Sequence, residues 1–234
     1  MGLHVGIIMD GNRRHAQENA AADGHRQGAE ALRTLLSDLS NDDLGISELS
    51  LYAFSMENFQ RPDTEKRQLF ALFEEYAGKL NETIRERAKR TDKNVHVRFA
   101  GRLSLFPQRM HDLMLRLMEE NRGSADYRVN LLMAYNGQDE IVDATRRIVR
   151  RKIPADDIDR TTIRENLYLP DTRPLDIVVR TGMNDGKRLS GFMLWQASYA
   201  EFFFLTKLWP AFTHADLRQV IEDYQQSRNR RHGR

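Results

Sequence analysis

The sequence predicts a single α/β domain built on a mostly parallel six-stranded sheet flanked by helices. Three observations predict it. Short apolar, β-branched runs alternate along the chain with longer segments whose apolar residues recur at helical spacing. Strands that alternate with helices imply parallel pairing through right-handed crossovers. At 234 residues, with no internal repeat and no low-complexity linker, one core accounts for residues 1–234.

Taken in order, Leu3 to Met9 is an apolar run that ends in Asp-Gly, the pattern of a buried strand feeding a loop. Ala31, Leu32, Leu35, Leu36 and Leu39 place a helix over Gly28 to Leu39. Ile46 to Phe54 reads as the second strand, with a polar loop from there to Pro62. Asp63 or Thr64 can cap a long helix reaching about Arg90, with Leu69, Leu72, Phe73, Tyr76, Leu80 and Ile84 on one stripe. Val95 to Ala100 is a third strand and Pro107 to Glu120 a helix; Tyr127 to Tyr135 is a fourth strand and Gln138 to Arg150 a helix. Leu175 to Val179 and Phe202 to Leu205 are the last strands, and Thr213 can cap a final helix over His214 to Ser227.

Composition narrows the function. Forty per cent hydrophobic and 30% charged residues describe a globular chain, not a disordered one. With no cysteine, disulfides, thiolate metal sites and thiol catalysis are excluded. A formal charge of +2 is too small to argue for nucleic acid. Neither a signal peptide nor a long uncharged apolar span is expected, and a cytoplasmic location is the expectation. Arg228 to Arg234 holds four arginines, as a solvated tail would.

In open α/β sheets ligands sit beyond the carboxyl ends of the strands, so the segment after each strand carries the information. After the first comes Asp10-Gly11-Asn12-Arg13-Arg14. The glycine permits a tight turn, two arginines can grip phosphate oxygens in a bidentate manner, and the aspartate suits a divalent cation that itself binds phosphate. A capped turn with a solvated arginine pair is the other reading. Next come Gly24-His25 and, after the second strand, Ser55-Met56-Glu57-Asn58-Phe59-Gln60-Arg61. Arg180, Arg188 and Ser190 after the fifth strand form a second candidate anion pocket, and Glu201 opens the sixth strand. No Walker loop, G-x-G-x-x-G or G-x-S-x-G appears. Two anion pockets, one or two carboxylates and ample apolar helix surface point to substrates with diphosphate heads and hydrocarbon tails.

Together HVGIIMDGNRRHA, GHRQGAE, LYAFSMENFQRP, RFAG, AYNGQDEI, DIVVRTG, KRLSGFMLWQASYAEFFF, LWPAF and the terminal RRHG resemble the cis-prenyltransferase family, which includes the undecaprenyl diphosphate synthases, over nearly the whole chain. The resemblance implies a sheet enclosing an apolar cleft, a homodimer, and Mg²⁺-dependent condensation of isopentenyl diphosphate with an allylic diphosphate such as farnesyl or geranylgeranyl diphosphate. It implies that Asp10 and Glu201 are metal-associated. Gly11, Asn12, Arg13, Arg14 and His25 would hold the allylic diphosphate, with Asn12 also serving proton loss. Ser55 and Asn58 would lie near the reacting centre, with Arg61 on the same loop, and Arg180, Arg188 and Ser190 would take isopentenyl diphosphate. Arg231 and Gly233, in a tail from about residue 226, would reach the partner's active site. Long lipid products imply peripheral membrane contact.

The chain departs from the family pattern in places. The stretch from Gly182 to Lys187 is two residues longer and lacks a glutamate, for which Asp185 could substitute. His15, Ala21, Gly191 and Ala211 replace Trp or Tyr, an arginine, Asn and Asp. Two other readings share the fold: a short-chain or non-head-to-tail synthase, motivated by the altered loop, and a non-catalytic partner subunit, against which the retained Asp-Gly and arginines argue.

Overall fold

The computed structural model of the chain describes residues 2–19, 23–38, 44–91, 94–122, 126–184 and 186–232. Six strands, β1 (Leu3–Ile8), β2 (Ile46–Ser55), β3 (Val95–Ala100), β4 (Tyr127–Tyr135), β5 (Ile177–Arg180) and β6 (Glu201–Phe204), form one sheet in the order β3-β4-β2-β1-β5-β6. Every pairing is parallel. The alternating pattern therefore gives the sheet it predicts, with β1 buried on both faces from His4 onward and β2 from Glu48 to Tyr52.

Side chains alternate between the two faces. On one, Val5, Ile7, Leu49, Leu51, Val97, Leu131, Ile177 and Val179 meet α2 (Gly24–Asp38), α3 (Asp63–Thr91), α4 (Gln108–Glu120) and α7 (His214–His232) in the larger core. On the other, Ile8, Tyr52, Leu132 and Val178 pack against Leu169, Phe192 and Met193. At Gly6 a Cβ would lie 2.6 Å from the ring of Phe192, so that face needs glycine at the middle of β1.

The same second face carries a buried polar network at the amino ends of the strands. Arg98 pairs with Glu48 at 2.8 Å, their side chains 9% and 2% exposed. Arg98 also donates to Asn130 and Thr172, and Asn130 donates to Glu48 and to Ser50. His4 closes the chain: Nδ1 lies 2.8 Å from the Arg173 carbonyl and Nε2 2.8 Å from Ser50 Oγ. A carbonyl only accepts, so Nδ1 carries the ring proton and Nε2 accepts from Ser50. Burial, more strongly than any neighbour, pushes the His4 pKa down, with the Glu48 charge opposing. Because the folded value lies below the unfolded value of about 6.5, the unfolded chain takes up its proton first. Stability is then fully present above that value and is lost as pH falls through it toward the folded value. The urea midpoint is expected to fall between pH 7.5 and 5.5, with a smaller fall in His4→Gln; equal slopes would show that His4 is not the source.

The structure revises several element boundaries. α1 (Asn12–Glu18) is a separate short helix after β1. α2 starts at Gly24, four residues before Gly28, because the Asp23 carboxylate accepts from the Arg26 N–H at 3.0 Å and caps it. α5 (Gly137–Arg150) is capped by Asn136, and a helix that periodicity did not predict, α6 (Arg160–Glu165), is capped by Asp159. β5 begins at Ile177, and α7 runs to His232, beyond Ser227, through the segment read as a tail.

Candidate active site

The carboxyl ends of β1, β2 and β5 converge on one chamber. β1 and β5 are neighbours, with Ile8 opposite Arg180, so the loop carrying Asp10 leaves the sheet beside the residue that ends β5. The Asp10 backbone is fixed from both sides: its N–H donates to Thr181 Oγ1 (3.0 Å), and its carbonyl accepts from Thr181 Oγ1 (2.8 Å) and from the Trp209 N–H (3.0 Å). Gly11 comes next at φ 109°, where a Cβ would also meet Leu208 at 2.8 Å; the turn into α1 therefore requires glycine.

Arg180 is the anchor. It is 5% exposed, and it donates to Asp10 Oδ2 (2.8 Å), Ser190 Oγ (2.8 Å) and the Arg188 carbonyl (2.7 Å). Its Nε is buried without a partner among the described residues. Arg14 reaches the other Asp10 oxygen at 3.4 Å and also binds the Gly182 carbonyl. The Asp10 carboxylate thus sits between two guanidiniums while its side chain stays 34% exposed. Such a group can be shared with an incoming cation.

On the opposite wall, Arg61 donates to Glu65 at 2.7 Å and to His25 Nε2 at 3.4 Å. Burial first, then the Arg61 charge, lowers the His25 pKa, with Glu65 opposing, so the neutral ring is favoured. Asn58 holds the loop after β2 by accepting from the Ser55 N–H at 3.0 Å. The Asn12 amide oxygen is buried with no hydrogen-bond partner among the described residues. An unmade bond of this kind costs about 1–3 kcal/mol, so an acceptor is held ready for a donor or developing positive charge. It is kept in place by Gly28, where a Cβ would lie 2.1 Å away. Gly28→Ala is expected to displace Asn12 and lower kcat by ~10²-fold, the scale of a 1 Å misplacement, while thermal stability changes little; unchanged kinetics would remove Asn12 from the site.

This polar chamber, about 410 Å³ and partly open to solvent, is lined by Asp10, Asn12, His25, Arg61, Arg180 and Ser190, with Ser55 and Asn58 on the same rim. It shares Met9, Asn12, His25, Tyr52, Ala53, Phe54 and Leu69 with a mostly apolar cleft of about 170 Å³. That cleft runs between α2 and α3 over β2 and β4, walled by Leu32, Phe54, Phe70, Phe73 and Leu131. A charged mouth thus opens straight into a hydrocarbon-like interior.

The remaining expected residues fall in different places. Arg13 is largely exposed beside Glu65, 4.0 Å away, and Arg188 offers its carbonyl to Arg180 with its side chain in solvent. Glu201 is not brought to Asp10 within this chain. It opens β6 opposite Ile177, three rungs or about 10 Å along the sheet from Arg180, where it accepts from Ser227 at 3.4 Å. Arg231 is described only as part of α7, and Gly233, Ala21 and Asp185 lie outside the described residues. His15 bonds Gln27 at 3.0 Å, tying α1 to α2, and Gly191 sits at φ 75° with a Cβ site 2.9 Å from Asn136, where asparagine would be strained. Sequence reasoning missed Thr181, Glu65 and Trp209. The Arg61 and Glu65 spacing of four at the start of α3 was the one local signal.

Among the described residues no cluster of three His, Asp or Glu could hold a metal by itself. Mg²⁺ is usually held by one or two carboxylates plus substrate phosphates and waters, and Asp10 at the mouth fits that demand.

The profile of the family described as "Putative undecaprenyl diphosphate synthase" matches residues 8–233. The chain belongs to this family of prenyltransferases. It is 38% identical over 99% of its length, and 84% of the relative's, to a tritrans,polycis-undecaprenyl-diphosphate synthase (geranylgeranyl-diphosphate specific) of Methanopyrus kandleri. It is 34% identical to an isoprenyl transferase of Clostridium perfringens, covering 100% of this chain and 90% of that one. The crystal structure of lavandulyl diphosphate synthase from Lavandula x intermedia with dimethylallyl diphosphate superposes with a TM-score of 0.83 at 28% identity, over 96% and 95% of the two chains. In this prenyltransferase, therefore, the charged mouth and the apolar cleft occupy the fold of enzymes that handle prenyl diphosphates.

Proposed function

We propose that this prenyltransferase condenses isopentenyl diphosphate with an allylic diphosphate, in cis geometry and with Mg²⁺, to give a longer prenyl diphosphate and free diphosphate. The observation that carries this reading is the continuity of the Asp10–Arg180 mouth with the apolar cleft. The allylic carbon–oxygen bond breaks with its electron pair leaving on diphosphate, the isopentenyl double bond attacks the allylic carbon, and a proton is lost. Arg14 and Arg61, with His25 beside it, would take the leaving group's charge, and preorganised cations are worth most where negative charge develops. Asp10 would hold Mg²⁺, which when bound supplies Lewis-acid stabilisation of the diphosphate. Arg180 with Ser190 would bind isopentenyl diphosphate, the Asn12 oxygen would face the proton to be lost, and the apolar walls would keep water from the allylic cation.

Isopentenyl diphosphate carrying a label, supplied with Mg²⁺ and farnesyl or geranylgeranyl diphosphate, is expected to enter chain-extended product. No incorporation with any allylic primer would overturn the reading. The archaeal relatives favour geranylgeranyl diphosphate as primer and a polyprenyl product. The likeness to lavandulyl diphosphate synthase, with the longer loop at 182–187, supports a second reading of a single condensation, for which ten- or fifteen-carbon products would decide.

Residues 1–234 are proposed to act as one domain in a homodimer of the cytoplasm that meets the membrane at its periphery to release product. In the dimer, α7 would carry Arg231 and Gly233 to the partner's site, and Glu201 would complete a metal site only in that assembly. No helix among the described residues is long and apolar enough to cross a membrane. Deleting residues 231–234 is expected to raise KM for isopentenyl diphosphate about tenfold or more, the loss of one charge-assisted phosphate contact, without lowering the melting temperature. Unchanged kinetics would return the segment to a solvated end.

A further inference from the structure

The turn that carries Ser190 is held in a backbone conformation that its own residues do not favour. Ser190 lies at φ 50° and Met193 at φ 38°, with Gly191 between them at φ 75°. An L-residue in this left-handed region is strained and stays there only where its surroundings hold it. Arg180 supplies one hold, donating to the Arg188 carbonyl at 2.7 Å and to Ser190 Oγ at 2.8 Å. Gly137 supplies a second, its N–H donating to the Gly191 carbonyl at 2.7 Å. The third comes from Tyr52 on β2, whose hydroxyl lies 3.2 Å from the Ser190 carbonyl and 3.0 Å from the Tyr135 carbonyl.

Tyr52 is placed for this by its strand. It stands on the second face of the sheet, in the cluster with Ile8 and Phe192, and is buried. Its ring meets that of Phe192 at 5.5 Å between centroids and that of Tyr135 at 5.9 Å. Both partners of the hydroxyl are carbonyls, which only accept, so the one phenol proton is shared between them. Burial, and next the Glu57 charge, pushes the phenol pKa up, so that proton is retained. The side chain also lines both the polar chamber and the apolar cleft, so it sits where the two meet. We propose that Tyr52 is a positioning residue of the isopentenyl half-site, its hydroxyl holding the Ser190 turn so that the Ser190 side chain faces the diphosphate beside Arg180. This rests on the prenyl-transfer reading above, which gives Ser190 its ligand.

Calorimetry on wild type, Tyr52→Phe, Ser190→Ala and the double variant tests this, with isopentenyl diphosphate and farnesyl diphosphate each supplied alone so that no condensation occurs. Tyr52→Phe keeps the ring and its packing, and so the fold. Its affinity for isopentenyl diphosphate is expected to fall about fivefold, the scale of one hydrogen bond, with farnesyl diphosphate within about twofold of wild type. Because the hydroxyl acts through Ser190, the fall should disappear in the Ser190→Ala background, as effects that share one path do not add. Three results would each overturn the proposal: an unchanged affinity in Tyr52→Phe, a fall that persists in the Ser190→Ala background, or an equal fall for farnesyl diphosphate. The last is what a hydroxyl that merely props the sheet would give. If wild type binds neither prenyl ligand, the prenyl-transfer reading fails instead, and inorganic diphosphate decides the role of Tyr52. Weaker binding by Tyr52→Phe than by wild type then upholds the hold on the turn, and equal binding overturns it.

Discussion

Asp10→Ala is expected to lower kcat by ~10²-fold or more, the size of effect seen when a principal transition-state charge stabiliser is removed. The geometry explains why the loss falls on turnover. The Asp10 side chain lies between Arg180 at 2.8 Å and Arg14 at 3.4 Å, so removing it leaves two cations in the mouth without their shared carboxylate. Those cations still attract diphosphate, and KM for the allylic substrate should change less than kcat. The variant loses the oxygen that would place Mg²⁺ against the leaving group. Steady-state kinetics across a Mg²⁺ titration check this: the variant should not recover wild-type turnover at any Mg²⁺ concentration. Turnover within a few-fold of wild type would show that Asp10 serves only to neutralise Arg180. The backbone bonds from Asp10 to Thr181 and Trp209 survive the substitution, so the fold should too.

Arg98→Ala should produce the largest loss of stability, about 3–5 kcal/mol, because it strands the Glu48 carboxylate in the interior. Glu48 is 1% exposed, and one of its oxygens already lacks a partner among the described residues. Arg98 also joins β3 to Asn130 on β4 and to Asp171 and Thr172 in the segment that covers this face. A loss of that size is a large part of the 5–15 kcal/mol that holds an ordinary domain together. Urea unfolding of Arg98→Ala, Glu48→Ala and an Arg98→Met/Glu48→Leu pair separates the causes. The double variant should be closer to wild type than either single one, since replacing both charges by apolar groups removes the desolvation cost as well as the attraction. If Arg98→Ala costs less than about 1 kcal/mol, the pair is solvated and the network does not hold the sheet.

Much of the site was legible in the chain because its signals are local. Asp10-Gly11 directly after an apolar run, the polar loop after Ser55, and Arg180 at the end of a β-branched run each announce themselves by their position at the carboxyl end of a strand. The parallel sheet brings strand ends together whatever the loops contain, and so Asp10, His25, Ser55, Asn58, Arg61, Arg180 and Ser190 share one chamber. Thr181 and Trp209 were not legible as site residues, since they act through bonds to the Asp10 backbone from distant parts of the chain, Thr181 from 171 positions away. Glu201 shows the limit most clearly. Its place in the sequence puts it at the start of the sixth strand, while the register of β5 with β6 sets it at the far end of that ladder from Arg180.

The sequence alone determined the class of fold, the positions of the strands to within about two residues, and most of the residues that line the mouth. These depend on residue type and on periods of two and 3.6, which neighbours in the chain define. Only the tertiary structure decided that Gly24 and Gly28 lie against Asn12, that Arg98, Asn130, Ser50 and His4 form one buried network, and that the charged mouth adjoins an apolar cleft. Those facts turn on which faces meet and how closely. They are set by packing between segments far apart in sequence, where no local pattern records the distance.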